Sequence, residues 1–405
     1  MLFVLAVPFT YVAVVGAVVH ASARPRRGVM RAAAVTLGLL VAVALLELAA
    51  AARLVHWELV LTFLRGEQQH YVPDPDLGFR HAANVRASGR PRSDIETAWG
   101  LPASRSDRVT ATYDRRGYRN ATERTRADIV LIGDSYVEGK YVSDGQIASS
   151  VLQARLGQPV ANLGVAGYGT AQELVVLKMD VVPLGPRVVI WFFFEGNDLY
   201  NDQEFENVLL APRAVRTSAW TEEHRWWRRS FLRSAHDQLR LMLYPLVPSY
   251  CPHFGTLTAG PHRGQKVLFW REAAVPWTEF ERGRWESAQQ TLREALRFTR
   301  EHDVNLLLVY VPIKFRVYRD FIELPPRGEL RDWRLWPLPD LFARFCRTDE
   351  LACLDLTGLL RDSVRTGGMP YALADSHWSP EGHELVALRL VEALKSLGWA
   401  TRSLK

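Results

Sequence analysis

Ile129-Val130-Leu131-Ile132-Gly133-Asp134-Ser135-Tyr136 is an apolar run that stops abruptly in Gly-Asp-Ser. A short continuous apolar run bounded by a turn signal reads as a buried strand. Gly133 permits a sharp turn, and a serine in such a turn can expose its hydroxyl above a sheet edge. Far downstream stands Asp375-Ser376-His377-Trp378-Ser379-Pro380-Glu381-Gly382. A serine hydroxyl is a poor nucleophile at neutral pH and needs a base, which in turn needs an orienting acid. His377 is the candidate base and Asp375 the candidate orienter, two residues apart and able to share a face of a loop. Ser135 is the candidate nucleophile.

Acyl chemistry also needs donors for a developing oxyanion. The backbone N–H of Ser135 is one candidate. A glycine of Asn162-Leu163-Gly164-Val165-Ala166-Gly167-Tyr168-Gly169 is a second, and the side-chain amide of Asn197 in Phe194-Glu195-Gly196-Asn197-Asp198 is a third. Asn197 follows the apolar run Val188–Phe194, so it falls just past a strand's carboxyl end, where open α/β sheets bind ligands. Taken singly, each piece has a plainer reading: a turn, a structural histidine, a capping asparagine. Together and in order they favour catalysis.

Around these blocks, strand-like and helix-like runs alternate. Ile129–Ile132 precedes a helix over 147–156, residues 160–163 precede a helix over 171–181, and Val188–Phe194 leads to Asn197. A long helix over 280–301 precedes a strand over 304–311. A last helix spans 380–397, with Ser379 as N-cap and Pro380 at its first position. Such alternation predicts a mainly parallel sheet with helices on both faces.

The order of parts resembles the SGNH/GDSL hydrolase superfamily over roughly 127–397. The resemblance implies a three-layer α/β/α, flavodoxin-like fold. It casts Ser135 as nucleophile, Gly167 (with Gly164 as runner-up) and Asn197 as oxyanion residues, and His377 as base. The chemistry then requires no metal or cofactor. Asp74-Pro75-Asp76-Leu77-Gly78-Phe79 and Asp114-Arg115-Arg116-Gly117-Tyr118-Arg119-Asn120 look like a lead-in that some members carry. Two departures stand out. Glu195 occupies the place of the glycine in the usual Gly-x-Asn-Asp, and Asp375-x-His377 replaces Asp-x-x-His. The Asp-x-His-Trp form is similar to the alginate O-acetyltransferase group. That likeness implies O-acetyl transfer or removal on a cell-surface polysaccharide, with a multi-span membrane protein as acyl donor. The alternatives are an exported carboxylesterase that acts without a glycan acceptor, and a non-catalytic scaffold in a polysaccharide secretion complex.

Two apolar stretches open the chain. Residues 2–19 carry no charge and residues 32–52 carry only Glu47, each close to the roughly 20 residues a spanning helix needs. Arg24, Arg26, Arg27 and Arg31 lie between them, and positive loops stay cytoplasmic. The expected organisation is therefore a transmembrane helical hairpin (about 2–22 and 32–53) within an anchor of residues 1–55, which contacts the lipid bilayer. A lead-in over 56–126 and an SGNH-like domain over 127–400 follow, outside the cytoplasm on the periplasmic or extracellular face. A cleaved signal peptide read from Met30 is the alternative. Glu47 then pairs across the hairpin, faces a partner protein or lies near the interface.

Residues 202–278 interrupt the alternation. Trp227, Phe231, Ala235, Leu239 and Met242 at helical spacing predict an insertion helix packed on the core, with an aromatic lid as the rival reading. Lys314 reads as a solvated lysine, or as a group for an acidic substrate. Cys346 and Cys353 flank a short polar turn and can pair if the domain is exported, leaving Cys251 free; buried free thiols are the equal alternative. No Cys/His spacing suggests zinc. The net charge of +6 is modest and makes no case for nucleic acid.

Overall fold

The computed structural model describes residues 25–52, 54, 55, 57, 60, 71–91, 93–99, 101, 106–210, 229–243, 253–270, 276–326 and 328–400. At its centre lies a sheet of five strands: β1 (Ile129–Ile132), β2 (Val160–Asn162), β3 (Val188–Phe194), β4 (Asn305–Val311) and β5 (Ala352–Asp355). Their spatial order is β5-β4-β3-β1-β2, and every pairing is parallel. Ile132 lies opposite Trp191, and Val311 opposite Phe194.

The apolar runs are continuous because both faces are covered. Ile129, Leu131, Ile190, Phe192, Leu307 and Val309 point into one core, and Val130, Ile132, Trp191, Phe193, Leu308 and Tyr310 into the other. Helices supply the outer layers. Ala148–Leu156, Thr357–Arg365 and Pro380–Ser396 contribute Leu152, Leu360 and Leu390 to the first core. Thr170–Val176, Glu279–Glu301 and Leu338–Thr348 contribute Val176, Leu292 and Phe342 to the second. This is the expected α/β architecture. In chain order the strands run 2-1-3-4-5, so the order reverses between β1 and β3. In open α/β sheets, ligands bind outside the carboxyl ends of the strands that flank such a reversal.

Several elements differ from expectation. The helix expected over 171–181 is α-helical only over Thr170–Val176; it widens to a π-helical turn over Leu177–Val181 and tightens over Val182–Leu184. Pro183 has no N–H and its ring crowds the carbonyl four residues back, so the regular ladder cannot continue through it. Strand β5 was not anticipated. It is a four-residue edge strand that holds Cys353, and a disulfide ties Cys353 to Cys346 on the helix Leu338–Thr348. Of the two open readings for these cysteines, the bridge is the one found; Cys251 lies outside the described residues. A small antiparallel sheet of Phe254–Leu257, Lys266–Leu268 and Ile322–Glu323 was also not anticipated.

The chain divides into two compact units, one of residues 1–65 with 222–239 and the other of residues 66–221 with 240–405. In the first unit, α1 (Pro25–Ala51) holds a 23-residue apolar span, Val29–Ala51, within which an 18-residue stretch has a mean hydropathy of 2.3. At 1.5 Å per residue the 23-residue span is about 35 Å long, enough by length and composition to cross a bilayer core of roughly 30 Å. Leu37, Leu40, Leu45 and Leu48 on it are exposed. The helix begins at Pro25, so Arg26, Arg27 and Arg31 sit in its first two turns rather than in a loop before it. The other half of the expected hairpin, about 2–22, lies outside the described residues. Glu47 has a partner that none of the three expectations named: Ser230 Oγ donates to its carboxylate at 3.0 Å, and Leu232 N–H does so at 2.7 Å. Both donors belong to the start of α2 (Phe231–Leu243), which carries the apolar spacing noted above; Trp227 lies outside the described residues. Trp57 packs edge-on to Phe231 at 5.4 Å.

Candidate active site

Strand β1 delivers Ser135 to the carboxyl edge of the sheet. Gly133 follows the strand with φ 153°, and a Cβ there would lie 2.6 Å from Val137, so the turn needs glycine. Asp134 caps the short helix Ser135–Glu138, accepting from Tyr136 N–H at 2.9 Å. Its second oxygen is buried with no hydrogen-bond partner among the described residues, and burial pushes its carboxyl up to about 6. Ser135 itself is buried to 8% exposure.

The other half of the site is a turn between Tyr371 and Trp378, which pair as an isolated bridge; Ala372 N–H donates to His377 O at 3.0 Å. Trp378 is buried against Tyr136, Phe192 and His383. Ser379 accepts from Gly382 N–H and starts the helix Pro380–Ser396 with Pro380 at its first position, as expected. Tyr136 O–H, next to the serine, donates to Ser376 O at 2.7 Å.

These elements bring Ser135, His377 and Asp375 together. His377 Nε2 lies 2.7 Å from Ser135 Oγ, and His377 Nδ1 lies 2.6 Å from Asp375 Oδ1. The short Asp-x-His spacing works because the same Oδ1 also accepts His377 N–H at 2.9 Å. Burial opposes a charge on His377, but the Asp375 carboxylate outweighs it and raises the imidazole to about 9. Burial likewise opposes the Asp375 charge, yet the His377 charge and hydrogen bond hold that carboxyl below the usual range. A hydroxyl, an imidazole and a buried carboxylate in this chain of contacts can pass a proton away from Ser135 as it attacks a carbonyl.

The oxyanion candidates separate. Gly164 N–H is taken up by Asn162 Oδ1 at 2.9 Å, and a Cβ at Gly164 would meet Val137 and Glu138, so close packing explains that glycine. Gly167 is exposed on the loop after β2, with φ 88°. The loop is held by Glu138, whose Oε2 accepts Ala166 N–H at 2.6 Å while Oε1 accepts Tyr113 O–H at 2.7 Å. Asn197 lies in the turn after β3, and its Oδ1 is buried without a partner among the described residues. Glu195, standing where the family pattern has glycine, braces this turn: its carboxylate accepts Ile313 N–H and pairs with the buried Arg316, which also donates to Trp336 O.

Lys314 is neither solvated nor turned to a substrate. It is buried, and its Nζ donates to the carbonyls of Ala372, Leu373 and Asp375, so it clamps the histidine turn from beneath. Sequence reasoning missed Ser93 and Asp94. Ser93 reads as the N-cap of the helix Asp94–Trp99, and it is one, accepting Glu96 N–H at 3.0 Å. Nothing local signals that both residues also touch the turn at 374–377. Among the described residues, Asp94, Asp375 and His377 are the one group whose ligand atoms, all within 4.8 Å, are close enough for a cation. A cation there would have to displace the bond from Asp375 that aims Nε2 at Ser135, so these residues fit a proton relay better than a metal centre.

A family model described as GDSL-like Lipase/Acylhydrolase matches residues 131–385. Among solved structures, the chain is similar to a putative lipolytic protein of the G-D-S-L family from Desulfitobacterium hafniense. Identity is 15% over 67% of this chain and all of that one, with a TM-score of 0.36. A GDSL-like lipase from Bacteroides thetaiotaomicron is 11% identical over 66% of this chain and 88% of that one, with a TM-score of 0.33. An acetyl xylan esterase, AlAXEase, is 10% identical over 66% and 99% respectively, with a TM-score of 0.37. No match was found among curated proteins.

Proposed function

Because this chain belongs to the GDSL-like lipase/acylhydrolase family, we propose that it is a membrane-anchored serine ester hydrolase or O-acyltransferase that faces out of the cytoplasm. The observation that carries the reading is the contact chain Ser135 Oγ–His377–Asp375, at 2.7 and 2.6 Å. Ser135 Oγ attacks an ester carbonyl while His377 Nε2 takes its proton, and Asp375 orients the ring and faces the imidazolium. The N–H groups of Ser135 and Gly167 and the amide of Asn197 receive the oxyanion. The imidazolium then protonates the leaving alkoxide, and an acyl-Ser135 ester remains. In the second half-reaction an acceptor hydroxyl, deprotonated by His377, takes the acyl group and releases Ser135.

We assign the acceptor as a glycan hydroxyl, with an acetyl group as the cargo and a multi-span membrane protein as its donor. The Asp375-x-His377-Trp378 block, similar to that of polysaccharide O-acetyltransferases, supports this assignment. The apolar helix α1 supports a membrane anchor. The Cys346–Cys353 bridge supports an oxidising, outward compartment.

The test incubates the full-length protein and Ser135→Ala in detergent with an activated acetyl ester, with and without oligosaccharide, followed by mass spectrometry. An acetyl adduct that disappears in Ser135→Ala is expected, with the label appearing on sugar. Label that appears only as free acetate identifies a plain esterase. Wild type and Ser135→Ala turning over at the same rate overturns the catalytic reading.

A further inference from the structure

The segment ahead of the catalytic domain reaches into the site. Asp94, 281 residues before Asp375, donates its N–H to Asp375 Oδ2 at 2.8 Å. Its Oδ1 accepts Ser376 N–H at 2.9 Å, and its Oδ2 accepts Ser376 Oγ. Ser93 Oγ donates to Ala374 O. Asp94 Oδ2 also lies 3.8 Å from His377 Nδ1, too far for a hydrogen bond but within ion-pair range. The Asp94 side chain keeps 27% of its exposure, so the lead-in contributes part of the wall of the site rather than packing from outside.

We infer that Asp94 is a positioning residue for His377, a second carboxylate that fixes the 374–377 turn and faces the imidazole beside Asp375. The inference rests on the reading of Ser135, His377 and Asp375 as the proton relay. When His377 Nε2 takes the Ser135 proton, the positive ring faces two acids rather than one, and the second is held in place by the turn it organises. Other charged or titratable groups around the ring are Asp134 and Tyr136 on the serine side, His383 on the helix that follows and Lys314 beneath the turn. Lys314 and Tyr136 also bond the turn, through its carbonyls, but of the acids only Asp94 bonds both Asp375 and Ser376. An opposite charge within about 4–6 Å moves a titration by roughly 1–3 units. Its partly exposed position places Asp94 at the low end of that range. Partial burial and the neighbouring Asp375 charge push Asp94 itself up to about 7, so its field on the ring is present above neutral pH.

The test follows the His377 imidazole by NMR in the full-length chain in detergent micelles, labelled with 13C-histidine, its signal being the one absent in His377→Gln. Wild type, Asp94→Asn and Ser93→Ala are compared, and each is assayed on an activated acetyl ester. In Asp94→Asn the His377 midpoint falls by about one pH unit, and kcat drops about tenfold with KM unchanged, the pattern of a lost transition-state interaction. Ser93→Ala loosens the same turn without moving the midpoint. An Asp94→Asn midpoint equal to wild type, or an equal shift in Ser93→Ala, overturns the inference. If instead Ser135→Ala keeps wild-type turnover, the relay reading fails, while the NMR midpoint still reports whether Asp94 acts on the ring.

Discussion

Replacing Lys314 with methionine keeps about the length of the side chain and removes its three donors together with the charge that lies 5.8 Å from the Phe269 ring centroid. Those donors serve the carbonyls of Ala372, Leu373 and Asp375, all in the turn that carries the histidine. Three carbonyl acceptors match the three N–H groups of an ammonium. A buried carbonyl left without a donor costs about 1 kcal/mol at the low end of the usual range. Leu373 O keeps the N–H of Leu268 at 2.9 Å, so two carbonyls are left without a donor and the loss is about 2 kcal/mol. For a domain of this size each kcal/mol corresponds to about 2–4 °C, so the expected fall in melting temperature is about 4–8 °C. Activity on an acyl ester should fall with it, through kcat, because the turn no longer holds Nε2 against Ser135. Burial drives Lys314 down to about 7. Its folded value thus lies below its unfolded one. As the pH rises from about 7 toward the ordinary lysine range, the unfolded chain keeps a proton that the folded one has released, and wild type gains stability relative to Lys314→Met. Thermal melts from pH 6 to 10, with kcat measured alongside, decide the matter. A melting temperature within about 2 °C of wild type, together with an unchanged kcat, would refute the clamp.

Three further outcomes follow from the same geometry. As a base, His377 must be neutral, and it is raised to about 9, so kcat/KM should climb to about pH 9 instead of levelling near the ordinary imidazole value; a plateau reached by pH 7 contradicts this. The same raised value means that its contribution to stability is full below pH 6.5 and is lost as the pH passes about 9. Glu195→Gly, which restores the family's glycine, leaves Arg316 buried without its carboxylate and should destabilise by about 3–5 kcal/mol. Changing both residues to methionine should recover most of that in a denaturant titration.

How much of this was legible in the sequence varies with the range of the signal. The other four strands announce themselves as apolar runs because both faces of the sheet are buried. Strand β5 does not, because it lies at the sheet edge, is only partly buried and includes Asp355 and Cys353. The groups from Ser135 to His377 were readable because each sits at the end of an element with a local signature. Lys314 was misread because most lysines are solvated, and only the fold shows three carbonyls converging on this one. Asp94 was invisible for a related reason: its neighbourhood spells an ordinary helix start, and its second set of partners comes from the opposite end of the chain.

That long-range closure has a consequence for the life of the molecule. The serine leaves the ribosome early, on the first strand of the sheet, while the histidine turn that would deprotonate it is made some 240 residues later. The turn is then fastened by residues 93 and 94, which were made before the serine. Until the last helices have formed and both ends of the domain have met, Ser135 is an ordinary alcohol. On the proposed reading, the nucleophile is thus unarmed throughout synthesis, and completion of the fold is itself the activating event.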